Sequence, residues 1–282
     1  MLSMISCICS YFNYYNDPNR KSNYIKFRQK FQHDLITVEL AKDKSEFFID
    51  DAIQIVAKPE NLLWQKERCF NIALESLPDT TDKIVWVDTD IIFHNDNWLS
   101  DLDKTLDNYM VAQPFKRVVE IDNDYNHNLN CFGYANLICE YLHNEQPIPI
   151  STAPGISWGC RRSAVPNGFY DKHIMGSNDA MQIYSWIGDI FNTKMLQMPD
   201  SLILDFLDYY QKVPCNSSQI SYCEGVVEHL YHGHFSQRGY NSRSKIIAKN
   251  FDVKDLEIDS NGLYRLNNER KLNEIRTHFY KL

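Results

Sequence analysis

The run KIVWVDTDIIF, from Lys83 to Phe93, constrains the fold of this chain more than any other segment. Ile84 to Val87 are apolar without alternation, and the carboxylates Asp88 and Asp90 follow at once. A short run of this kind reads as a strand covered on both faces, as in a parallel sheet flanked by helices. In open α/β sheets, ligands bind beyond the carboxyl ends of such strands. Two acids one residue apart at that position can offer oxygens to a hard divalent cation, which can in turn hold a diphosphate. The run therefore points to an enzyme that handles a nucleotide-linked substrate.

The D-x-D spacing alone is a weak signal, because the chain carries 37 acidic residues and repeats the spacing at Asp101/Asp103 and Asp122/Asp124. Those two pairs sit among polar residues and read as solvated carboxylates. Only Asp88/Asp90 closes a buried-type strand, where metal binding competes with a loop-capping role.

At 282 residues, the chain can bury one large α/β core or two small ones. Its hydrophobic content of 44% and charged content of 23% are ordinary for a globular protein. A net charge of −8 argues against a nucleic-acid partner, which would need a clustered basic surface. No apolar stretch is long enough for a transmembrane segment. The opening MLSMISCICSYF lacks a basic start and a small-residue cleavage site, so it reads as a first strand rather than a signal peptide. The eight cysteines include no C-x-x-C pair, which disfavours a structural zinc site. Cys7, Cys9 and Cys69 lie in apolar runs as small core residues, and a reducing compartment is expected.

Strands are expected at Met4–Tyr11, Leu35–Leu40, Ile53–Val56, Tyr109–Gln113, Ile156–Cys160 and Val226–Tyr231, besides the acidic one. Helical spacing predicts helices at Tyr24–Phe31, through NLLWQKERCFNIALESLP up to Pro78, at Trp98–Leu106, Phe132–Leu142, Asp179–Ile187 with Ser177 as cap, and Ser242–Lys249. Asp122–Asn130 reads as a mobile loop and the tail from Leu263 as a terminal helix. Alternating strands and helices imply one α/β layer structure.

Three segments together resemble the nucleotide-sugar glycosyltransferases of the GT-A fold, including the galactosyltransferase-like and other D-x-D families. The first is QKERCFNIAL followed by VWVDTDIIF. The second is GISWGCRRSAVPNGFYDKHIMGSNDAMQ, Gly155 to Gln182. The third is EHLYHG with Arg238, Tyr240 and Arg243 downstream. The order of the three motifs, spread over Met4 to Arg243, carries the resemblance. It implies a GT-A-like, Rossmann-like mixed and mostly parallel sheet flanked by helices, in a domain spanning residues 1–245 with a helical extension at 246–282. It also implies transfer of a sugar, a hexose, from a nucleotide diphosphate, by default UDP, to a hydroxyl of a carbohydrate or glycoconjugate acceptor. The family's Golgi members carry a membrane anchor that is not seen here, so a cytoplasmic enzyme of bacterial or viral type is expected.

The chemistry assigns roles to particular residues. A divalent metal stabilises the departing diphosphate as a Lewis acid, and a histidine ligand favours Mn2+ over Mg2+. The resemblance implies that Asp90 binds the metal, that Asp88 binds the ribose or a metal-bound water, and that His232 is the late protein ligand. His234 ranks behind His232, and His229 behind both; a strand-end histidine bonded to backbone is the bland alternative. Asp179 is the implied base of an inverting transfer, although a first-turn acid after a cap would look the same. The family often shows two acids after this turn; here Gly176-Ser177-Asn178-Asp179 has one. Lys66, Arg68 and Asn71 are donor-side candidates, Arg68 and Asn71 sharing a helical face, with a solvated basic face as the alternative. Tyr11 reads as a base-stacking or a core aromatic. Trp158 reads as a sugar platform or as packing. Arg161 and Arg162 read as phosphate or acidic-sugar ligands or as surface residues. Asn178 joins Trp158 and Arg161 on the acceptor side. Arg238 and Arg243 flank Tyr240 in a segment suited to a lid over the diphosphate.

Two other functions compete. A sugar nucleotidyltransferase would need a Gly-rich phosphate loop after the first strand, and SYFNYYNDPNR has no glycine. A catalytically silent carbohydrate- or nucleotide-binding module could use the same fold.

Overall fold

The computed structural model describes residues 5–14, 17–122, 127–144, 155–189, 198–233 and 244–279. In chain order the elements are β1 (Ile5–Phe12), α1 (Pro18–Lys30), β2 (Leu35–Ala41), β3 (Ile53–Val56), α2 (Lys66–Ser76), β4 (Lys83–Val87), β5 (Ile91–Phe93) and α3 (Trp98–Thr105). Then come β6 (Val111–Gln113), β7 (Arg117–Ile121), β8 (His127–Phe132), α4 (Tyr134–Asn144), β9 (Ser157–Arg161), α5 (Asn178–Ile187) and α6 (Asp200–Tyr210). The remainder is β10 (Ile220–Tyr222), β11 (Val226–His229), α7 (Ser244–Ile247), β12 (Leu256–Ile258), β13 (Tyr264–Leu266) and α8 (Glu269–Phe279).

The main sheet has seven strands in the order β10-β6-β9-β4-β1-β2-β3. β1 pairs in parallel with β2 and β4, β2 with β3, and β10 with β6, whereas β9 runs antiparallel to both β4 and β6. This is the mixed, mostly parallel sheet expected from the sequence. After β1 the chain winds outward through β2 and β3, then returns to the other side of β1 as β4. The strand order therefore reverses between β1 and β4, the kind of switch point beyond whose carboxyl ends open α/β sheets bind ligands.

All five residues of β4 are buried. Ile84 and Trp86 enter one core with Phe70 and Ala73 of α2 and Trp186 of α5, while Val85 and Val87 enter another with Phe27 of α1 and Leu102 of α3. Successive side chains on a strand point to opposite faces, so burial on both faces is what removes alternation from the sequence. Cys7, Cys9 and Cys69 are buried in these cores.

A second sheet, in the order β5-β11-β7-β8, leans against the site. β11 pairs antiparallel to β5 and parallel to β7, which brings His229 opposite both Ile91 and Glu120. Part of the segment expected to be a loop, Asp122–Asn130, belongs to β8, which pairs with β7; residues 123–126 lie outside the described set. The tail is also more than a helix. Its β12–β13 hairpin docks on the approach to α2, where Gln65 and Asn61 both donate to the Tyr264 carbonyl, at 2.7 and 3.1 Å. Leu272 and Ile275 of α8 share a core with Met181 of α5 and Phe206 of α6.

Candidate active site at the end of β4

Three segments converge just past β4. The first is the acidic run itself. The second is the Gly155–Ile156 bend that enters β9: the Asp88 N–H donates to the Ile156 carbonyl at 2.8 Å, and the Ile156 N–H donates back to Asp88 Oδ2 at 3.1 Å. Ile156 holds φ at +82°, a left-handed conformation that is costly for a β-branched residue and is found where surrounding structure enforces it. The third is the turn into α5, where Gly176 and Ser177 are both left-handed, with φ of +87° and +75°. Ser177 occupies the cap position but makes no side-chain capping bond, contrary to expectation. Asn178 supplies the local order instead. Its side chain is buried, accepts from the His173 N–H at 2.8 Å, and donates to Glu67 at 3.0 Å.

Asp88, Asp179 and Lys66 meet just past β4. Lys66 Nζ lies 3.1 Å from Asp88 Oδ1, 3.5 Å from Asp179 Oδ2 and 3.8 Å from Glu67 Oε1. Burial alone would depress the Lys66 ammonium, but Asp88, Asp179 and Glu67 outweigh it and keep it charged. Burial pushes the Asp88 carboxyl up against the pull of Lys66. The Glu67 carboxyl is pushed to about 7, chiefly by burial, with the Asp179 charge adding to the rise. Glu67 also accepts from the Trp64 indole at 3.1 Å, so its position is fixed from two sides. Gly155 permits the close approach: a Cβ there would lie 2.8 Å from Asp179 Oδ2.

Asp90 faces the opposite way, toward the second sheet. Its Oδ2 lies 3.2 Å from His232 Nδ1, and its Oδ1 lies 3.6 Å from His229 Nε2. One ligand atom from each of Asp90, His229 and His232 falls within 4.8 Å of the others, the one such cluster among the described residues. Burial would raise the Asp90 carboxyl, yet the two imidazoles hold it well below the usual range. One carboxylate oxygen and two imidazole nitrogens suit a first-row divalent metal, so the donor set fits the cofactor expected from the sequence. Arg20 of α1 stands close enough for its charge to act on Asp90, and it donates to the Phe12 carbonyl at 2.8 Å. Nearby, Asn23 donates to the Tyr231 carbonyl at 2.9 Å, tying α1 to the histidine segment.

The structure brings Asp88, Asp90, Lys66, Asp179 and His232 to the end of β4 and places other expected residues elsewhere. Trp158 is fully buried and offers no platform; it pairs opposite Trp86 in the sheet and packs on Trp186. Arg161 lies at the far end of the sheet. Because β9 is antiparallel to β4, Arg161 pairs opposite Lys83, and it bonds Asp82 at 3.0 Å. Arg162 caps Pro78 and Leu74 carbonyls at that same end. Two residues along a helix is a turn of about 200°, so Arg68 points away from Lys66. It donates to the Gly262 carbonyl at 2.6 Å, while Asn71 bonds Phe169 and Asp171. Both line a separate cleft of about 480 Å³ bounded by Lys172 and Tyr209. Tyr11 is buried, with Tyr24 and Phe48 edge-on at 5.2 and 4.9 Å, so its ring faces are not open to a base. Asn178 is structural rather than exposed to an acceptor. His234, Arg238, Tyr240 and Arg243 lie outside the described residues.

Two residues near the site, Arg20 and Glu120, carry no sequence signal of their role, and His229 stands closer to Asp90 than its rank behind His232 and His234 implies, its spacing of three from His232 being the visible sign. Glu120 lies in an apolar run that gave no sign of a partner across the sheet.

No protein-family model matches the chain, and no curated protein matches it in sequence. Solved structures resemble it in outline. Glucosyl-3-phosphoglycerate synthase from Mycobacterium tuberculosis, in complex with Mn2+, UDP and phosphoglyceric acid, is 13% identical with a TM-score of 0.40, over 87% of this chain and 77% of that one. S. aureus TarS 1–349 is 10% identical with a TM-score of 0.45, over 99% and 72%. A 4-diphosphocytidyl-2C-methyl-D-erythritol synthase from Anaerococcus prevotii is 12% identical with a TM-score of 0.32, over 79% and 89%. At these scores, none of them assigns an activity to this chain. No helix among the described residues is long and apolar enough to cross a membrane.

Proposed function

We propose that this chain is a metal-dependent glycosyltransferase that moves a sugar, a hexose by analogy, from a nucleotide-diphosphate donor, UDP-linked by default, to a hydroxyl of a carbohydrate or glycoconjugate acceptor. One observation carries the reading: at the switch point of the sheet, a carboxylate–lysine–carboxylate group and a carboxylate–histidine group stand together at the end of β4, divided between Asp88 and Asp90. Clefts at such switch points bind nucleotides and their phosphates.

Asp90, His229 and His232 would hold the divalent cation, Mn2+ before Mg2+, which when bound supplies Lewis-acid stabilisation to the departing diphosphate. Asp179 is the base. In the transfer, the anomeric carbon–phosphate oxygen bond breaks, the bond to the acceptor oxygen forms, and the acceptor proton passes to the Asp179 carboxylate. A single base acting opposite the leaving group gives inversion. Lys66 holds Asp179 Oδ2 and Asp88 Oδ1 in place, and Ala180 fixes the other Asp179 oxygen through its N–H at 2.8 Å. Asp88, locked to Ile156 and Lys66, is positioned to orient the donor ribose.

Asp179→Asn tests the reading. Donor binding, measured by titration with UDP-sugar and Mn2+, should persist, while sugar transfer should fall by roughly 10²- to 10⁴-fold. Unchanged transfer would refute the role of Asp179.

A further inference from the structure

Asp90, His229 and His232 offer one donor atom each, but the two histidines are held differently. His232 Nδ1 approaches the Leu230 carbonyl at 3.2 Å as well as Asp90. His229 is buried, 8% exposed, and its ring lies between two carboxylates on opposite sides. Nδ1 is 2.8 Å from Glu120 Oε1, a hydrogen bond; Nε2 is 3.6 Å from Asp90 Oδ1, beyond hydrogen-bond length. Glu120 reaches this place through strand register: β7 and β11 are parallel, with Glu120 directly opposite His229. It is the acidic residue in a strand that otherwise reads Arg-Val-Val-Ile. Carboxylate–imidazole pairs of this geometry are the outer support of histidine metal ligands, fixing the tautomer and raising the basicity of the far nitrogen.

We infer that Glu120 is a positioning residue of the cation site: it turns His229 Nε2 toward Asp90, so that the site presents two imidazoles beside one carboxylate and takes a first-row transition metal in preference to Mg2+. The inference rests on the cation reading of Asp90 given above. Mg2+ keeps oxygen ligands and water, whereas imidazole donors suit first-row transition ions, with affinity rising from Mn2+ to Co2+.

The test uses the full chain and the metal alone. Mn2+ binding is followed by the loss of the free-ion electron paramagnetic resonance signal, with Mg2+ as competitor, and Co2+ binding by visible absorption. The wild type should bind Mn2+ more tightly than Mg2+. Glu120→Gln should weaken Mn2+ binding about ten- to a hundred-fold, alter the Co2+ spectrum, and change Mg2+ affinity much less. Glu120→Asp should restore part of the Mn2+ affinity, and in a His229→Gln background Glu120→Gln should add no further loss. A merely structural Glu120 would move neither the Co2+ spectrum nor the Mn2+/Mg2+ ratio. Glu120→Gln with wild-type Mn2+ affinity and an unchanged spectrum overturns this inference and leaves the cation reading standing if Asp90→Ala still loses Mn2+. A wild-type chain that binds no Mn2+ overturns both.

Discussion

Asp88 and Asp90 are separated by one residue and by entirely different surroundings. Asp88 is answered by the protein's own cation: Lys66 sits at 3.1 Å and also bridges to Asp179. Asp90 meets two imidazoles and, behind one of them, a second carboxylate. Asp88 lies just past the strand and Asp90 in the turn that follows, so the alternation that would align the two on one face no longer holds, and one D-x-D pair can serve two sets of partners. The comparison teaches that the motif need not chelate with both acids; here one half is committed to a lysine and a base, and the other to metal-type donors.

The largest effect should separate the two halves. Asp90→Ala should cost at least about a hundredfold in Mn2+ affinity, because it removes the anionic ligand. Asp88→Ala should leave Mn2+ affinity within about threefold, since Asp88 is held by Lys66 and Ile156 rather than by the histidines. Equal losses in both variants would merge the halves into one chelate.

Next comes stability. Lys66→Met leaves Asp88 and Asp179 beside each other with no counter-charge. Removing one partner of a buried pair costs about 3–5 kcal/mol, and the fifth of each carboxylate that remains exposed reduces this to about 1–3 kcal/mol. Urea unfolding would read the change; no loss would mean that the lysine is dispensable to the site's architecture. Gly155→Ala should act on chemistry instead. The new methyl, 2.8 Å from Asp179 Oδ2, must displace the base and should lower transfer about tenfold with Mn2+ binding intact.

The smallest effect is a pH dependence on the lysine side. The Glu67 carboxyl is raised from 4.5 to about 7 in the folded chain, by burial first. The folded state then holds more protons than the unfolded state between those values, so this group's contribution to stability declines as pH rises through that window. Glu67→Gln lacks the titration. Its melting temperature relative to wild type should therefore climb between pH 4.5 and 7, and a flat difference would show that Glu67 is not raised.

Much of the frame could be read from residue pattern. Ile53–Val56 is a strand as expected, β4 differs by one residue at its start, and α2 and α5 follow their helical spacing. These elements declare themselves because burial on one or two faces imposes a period. The three-residue strands β5 and β10 are too short to show one, and β7 lay in a segment given no assignment. Partners across the sheet were the harder part. Nothing local to Arg161 reveals that β9 runs against β4 and carries it to the far end, or that Trp158 ends beneath Trp186. Nothing in RVVEI announces His229 as the partner of Glu120. Asp179 and Asp88 were legible singly; that Lys66 joins them is a contact between residues 22 and 113 positions away along the chain, which pattern does not encode.

The most direct measurement is calorimetric titration of UDP into the chain with and without Mn2+, in wild type and in Asp90→Ala. If a cation held by Asp90 carries the diphosphate, UDP binding should appear with Mn2+ and disappear in the variant. UDP binding of equal strength with and without the metal, or none under either condition, would contradict it.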